Sequence, residues 1–68
     1  MPLTKRSISL SGHRTSLSLE SEFWEVLDTI AAERGQSLAS LIGEIDAHRG
    51  VEPLASSTRV WVLRALRG

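Results

Sequence analysis

The chain has 68 residues, no cysteine, two histidines and a formal net charge of zero, which excludes disulfide staples and thiolate metal sites. His13 and His48 lack the close spacing of a metal pair on one helix face, so no metal or cofactor is expected. A single domain of this size buries little of its surface and usually needs a staple or a partner, which leaves oligomerisation as the expected route.

Residues 1–6 carry no periodic pattern and are expected to form a mobile N-terminal arm, with a single domain over 7–68. Two short segments then alternate with period two. Ile8 and Leu10 fall on one face of the first, and Thr15, Leu17 and Leu19 on one face of the second, with Gly12 as the break between them. Whether residues 7–11 pair as an extra strand or stay loose is open at this stage. Glu20, Ser21 and Glu22 supply the acidic and capping residues of a helix start. Phe23, Leu27, Ile30, Ala31 and Arg34 then recur at helical spacing, widened by Trp24 and Val26. Gly35 suits the left-handed residue that ends such a helix. Ser37 reads as an N-cap for a second helix with Leu38, Leu41, Ile42 and Ile45 on one stripe, ending near His48 to Gly50. Pro53 interrupts the next segment. Ser56 or Ser57 can cap a third helix, where Val60, Leu63 and Leu66 are expected to share a face with help from Trp61 and Val62.

A lone strand makes no sheet. Antiparallel pairing with the same strand of a second copy would complete it and cover its apolar face; a hairpin closing at Gly12 within one chain is the competing solution, and the dimer is favoured. The charge pattern adds direction to the zero sum. Lys5, Arg6, His13 and Arg14 precede any acidic residue, Glu20 to Glu33 is acidic, and Arg59, Arg64 and Arg67 make the end basic. One end of the fold can therefore present a positive face.

The residues Arg14-Thr15-Ser16-Leu17-Ser18-Leu19, Arg34-Gly35-Gln36-Ser37-Leu38 and Leu41-Ile42-x-Glu44-Ile45 resemble the ribbon-helix-helix superfamily of DNA-binding proteins. Ser11 to Ser16, Glu22-Phe23-Trp24, Ala31 to Gly35, Glu44-Ile45-Asp46 and Arg59 to Leu63 resemble, more narrowly, a bacterial branch of it. The resemblance implies a mainly α fold with a short N-terminal β-ribbon, in an intertwined homodimer with an extra C-terminal helix. Its dimer core would hold Leu17, Leu19, Phe23, Leu27, Leu41, Ile42 and Ile45. The implied function is sequence-specific binding of double-stranded DNA by a transcriptional regulator, an autorepressor or antitoxin-like protein. Arg14, Ser16 and Ser18 would face base edges in the major groove. The amides at Ser37 and Leu38 would meet a phosphate, helped by Lys5 and Arg6 on the arm. Of the ribbon residues only Arg14 is long; Ser16 and Ser18 have little reach.

The alternative is a homodimeric protein-interaction module of the same fold with weak or no DNA binding, docking a protein partner or building a higher oligomer through the C-terminal helix. Phe23 and Trp24 beside acidic residues read as core rather than as a base-stacking platform. An enzyme is not expected: no motif ties either histidine to a serine, and there is no phosphate-cradling Gly-rich loop. No apolar run reaches membrane-spanning length and no signal-like segment opens the chain, so a cytoplasmic protein without membrane contact is expected.

Overall fold

A computed structural model describes residues 2–68. Strands β1 (Leu3–Leu10) and β2 (His13–Glu20) form an antiparallel hairpin, followed by helices α1 (Ser21–Arg34), α2 (Leu38–His48) and α3 (Leu54–Arg67). The turn is Ser11-Gly12, with φ of 50° and 81°. Positive φ at both central residues is the geometry whose twist matches that of two antiparallel strands. No side chain crowds Gly12, so only the backbone angle calls for glycine there.

The hairpin corrects two expectations. Residues 3–6 are part of β1 rather than an arm, while residue 1 lies outside the described residues. The partner of β2 comes from the same chain, so pairing it does not require a second copy. The register explains why the segment from Leu3 to Arg6 conceals its periodicity. Thr4, Arg6, Ile8 and Leu10 pair with Leu19, Leu17, Thr15 and His13 on one face, and an arginine stands in that row where an apolar residue would be read. Its guanidinium lies over the Trp24 ring, 4.6 Å from the centroid, which lets a cation occupy an inner-face position.

The helices cover that inner face. Ile8, Leu17, Leu19, Trp24, Leu27, Ala31, Leu41, Ile42, Ile45 and Val62 form one core. Six of the residues assigned to a dimer core, all but Phe23, are thus buried within a single chain, and Phe23 is half-buried at its edge. The Trp24 indole N–H donates to the Thr4 carbonyl at 2.8 Å, satisfying its one polar atom and fixing β1 to α1. A Cβ added at Gly43 of α2 would only come into ordinary contact with Leu10, whose methyl carbon would lie 4.0 Å away.

The helix boundaries follow their punctuation. At Gly35 (φ 65°) the amides of Gly35 and Gln36 donate to the carbonyls of Ala32 and Ala31, the paired closure that a left-handed residue permits. Ser37 caps α2 by accepting from the Ser40 amide at 3.0 Å. Helix α3 starts earlier than its serines suggested, directly after Pro53, because proline fixes the φ needed at a helix entrance. On α3 the face shared by Val60, Leu63 and Leu66 is not the covered one. Thr58 and Val62 are buried, whereas Val60, Leu63 and Leu66 point outward. Both stripes have helical spacing, and only the position of α1 and α2 decides which one is covered.

Candidate nucleic-acid interface

The face of the hairpin away from the helices carries Leu3, Lys5, Ser7 and Ser9 on β1, opposite Glu20, Ser18, Ser16 and Arg14 on β2. Alternation places these residues together, since successive side chains leave a strand on opposite sides. Lys5, Ser7, Ser9, Arg14 and Ser16 are exposed and Ser18 is half-buried. Arg14, Ser16 and Ser18 therefore share one outward row, as expected from their alternation. Ser7 and Ser9 were not anticipated as site residues. The signal for them was available in the two matched Ser-x-Ser segments flanking Ser11-Gly12, which become a ribbon only if that dipeptide closes a turn.

Lys5 and Arg14 are separated by four residues of strand in this register, because Arg14 lies opposite Ser9; at about 3.3 Å per residue they stand roughly 13 Å apart. Among the described residues neither forms an ion pair. The single carboxylate on this face, Glu20, is held by Arg59 of α3 at 3.0 Å and 3.4 Å. The Arg59 hydrogen bond, then one to the Glu20 amide, draws the Glu20 carboxyl below its ordinary value. Its charge is thereby compensated where it would otherwise repel an anion. The outward face is cationic at both ends and lined with hydroxyls between.

Arg6 belongs elsewhere. It makes two hydrogen bonds to Asp28 of α1, at 3.1 Å and 3.2 Å, on the helix-facing side. Its planar guanidinium is committed to a carboxylate and a ring, so it joins β1 to α1 instead of reaching out on an arm. At the start of α2, the Ser37 hydroxyl is used by the Ser40 amide and the Ser37 carbonyl by Leu41. The Leu38 and Ala39 amides are first-turn donors, for which an α-helix provides no acceptor. Gln36 reaches across this turn to the Ser40 hydroxyl and the Glu44 carboxylate, and Arg34 lies 3.9 Å from Glu44. A phosphate here would meet amides and an arginine, but also one acidic neighbour.

Comparison with protein families matches residues 3–66 to the ribbon-helix-helix domain. The chain belongs to this family. Strand β2 with α1 and α2 supplies its ribbon, helix and helix, and the match extends over β1 and α3, making both part of the same domain. Ribbon-helix-helix domains are generally DNA-binding modules of transcription regulators and typically non-enzymatic. No curated protein and no solved structure was found to match the chain. No described helix is long and apolar enough to cross a membrane.

Proposed function

We propose that the protein is a homodimeric, sequence-specific regulator that binds double-stranded DNA by setting the outward face of its hairpin into the major groove. The observation that carries this reading is the row of Lys5, Ser7, Ser9, Arg14, Ser16 and Ser18 on one exposed ribbon face, with its lone carboxylate engaged by Arg59. The major groove admits a two-stranded ribbon, and arginine is suited to the paired acceptors of guanine. The serine hydroxyls can each donate or accept and stand close to the ribbon, so they select bases only where the ribbon seats deeply. Lys5 adds a phosphate contact independent of sequence. The amides of Leu38 and Ala39, with Ser37 shaping the turn, would hold a flanking phosphate and fix the register.

Regulation of its own promoter, as an autorepressor or antitoxin-like protein in a bacterial cytoplasm, is the corresponding biological role. A gel shift with DNA from upstream of its own gene, run at several salt concentrations with unrelated competitor DNA, tests the reading. Wild type should shift the fragment in the presence of competitor, with affinity falling as salt rises, and Arg14→Ala should lose the specific shift. In a dimer the loss of two phosphate contacts in Lys5→Ala should make the slope of log affinity against log salt shallower by about 1.8. Absence of any shift at low salt from folded protein rejects DNA binding and leaves the fold as a protein-interaction module.

A further inference from the structure

The two strands of the hairpin are not equivalent. Leu10 and His13 close the turn at Ser11-Gly12, and from them the register runs through Ile8–Thr15, Arg6–Leu17 and Thr4–Leu19. In an antiparallel ladder closed by a two-residue turn, these alternate pairs exchange the hydrogen bonds. The residues between them turn their N–H and C=O groups away from the partner strand. The outer edge of β2 therefore carries the backbone groups of Arg14, Ser16 and Ser18, whose side chains already face outward. The sheet holds no third strand to meet them. The helix-facing rows differ as well. Leu17 and Leu19 of β2 are buried, whereas on β1 Thr4 is exposed and Arg6 half-buried. That apolar row suits β2 to the middle of a sheet, while Lys5 and Arg6 suit β1 to its edge.

Joining two chains along the free edge of β2 gives the proposed dimer a sheet ordered β1, β2, β2, β1. Strands about 4.8 Å apart set the two outer ones roughly 14 Å from each other, more than the roughly 12 Å width of the major groove. Only the central pair then seats between the groove walls, and each β1 lies over a sugar-phosphate backbone. We propose that β1 is a phosphate-binding strand, with Lys5, Ser7 and Ser9 directed at the DNA backbone on both sides of the groove. Base selection is left to Arg14, Ser16 and Ser18 of β2. Phosphate oxygens only accept hydrogen bonds, and a serine hydroxyl or a lysine ammonium donates to them without regard to sequence. Lys5, Ser7 and Ser9 are exposed on one side of β1, and Glu20, the carboxylate at the end of that face, is held by Arg59. This assignment rests on the DNA-binding dimer proposed above and divides its outward face into two roles.

Fluorescence anisotropy with the upstream fragment and an unrelated duplex of equal length, at several salt concentrations, tests the division, with each variant's fold checked by circular dichroism. Ser7→Lys should tighten binding to both duplexes by the same factor and keep their affinity ratio within about twofold of wild type. It should also steepen the slope of log affinity against log salt by about 1.8, for two contacts added per dimer. Ser16→Lys, the same substitution directly opposite in the hairpin, should instead lower the ratio about fivefold or more. The chain has no cysteine, so single introduced cysteines report the strand order. On mild oxidation Ser16→Cys should form a disulfide between chains and Ser7→Cys should not. A Ser7→Lys protein that changes the ratio, or that binds both duplexes as wild type does, overturns the assignment. Cross-linking of Ser7→Cys in place of Ser16→Cys does the same. Folded wild type that binds neither duplex at low salt rejects DNA binding itself, and the assignment with it.

Discussion

Replacing Thr58 by valine should stabilise this protein. Thr58 lies on the inner side of α3 with no solvent exposure, and its hydroxyl oxygen has no hydrogen-bond partner among the described residues. A buried hydroxyl without a partner costs about 1–3 kcal/mol relative to hydration in the unfolded chain. Valine keeps the branched shape and its restricted χ1, so packing and helix propensity change little. Recovering about 1–2 kcal/mol of that cost would raise the melting temperature by roughly 4–16 °C in a domain of this length. Thr58→Ser is the matched control. It retains the unpaired hydroxyl, removes a buried methyl and should lose about 1 kcal/mol. Thermal and urea unfolding followed by circular dichroism read both, at one fixed protein concentration because association raises the apparent stability. A Thr58→Val protein less stable than wild type would refute the reasoning, since it would mean that the hydroxyl holds a productive bond in solution.

Three further perturbations probe the ribbon and its supports. Leu17→Asp would place a carboxylate at a site only 3% exposed. Its cost, several kcal/mol, is comparable with the roughly 3–10 kcal/mol that holds together a domain of this length, so circular dichroism should show an unfolded chain; a folded variant would mean that β2 does not sit on the core. Gly12→Ala should lose about 1–2 kcal/mol in urea unfolding through backbone strain alone, at φ 81° with open space around it. Ser11→Asn should gain stability by making the turn the Asn-Gly pair that this geometry prefers. Equal stability of Gly12→Ala and wild type would argue for a different turn. The Glu20–Arg59 pair predicts a pH dependence. Because Glu20 is drawn below its ordinary value in the fold, its contribution is fully present above the unfolded value near 4.5 and disappears as pH falls through the lowered folded one. Arg59→Gln should flatten that acid limb of the stability profile, and an unchanged limb would assign it to other carboxylates.

The sequence by itself determined the local structure. Gly35 with the basic turn before it, Ser37 with its stripe, and the alternation of Thr15, Leu17 and Leu19 each act within a few residues, and each stands where those rules put it. The same alternation made Arg14, Ser16 and Ser18 a single row, and the matched stretch over residues 3–66 agrees with the resemblance those segments carry. Three things depended on tertiary structure. Strand pairing brings together residues far apart in the chain, so β1 and the place of Ser7 and Ser9 on the ribbon followed only from closure at Ser11-Gly12. Arg6 has the chemistry of a DNA contact in isolation and becomes a strut only because Asp28 and Trp24 approach it from α1. Helix α3 has two stripes of equal periodicity, and hydrophobic burial carries no direction of its own. The seat formed by the hairpin and the first two helices chose Thr58 and Val62 for the core and left Val60, Leu63 and Leu66 facing outward.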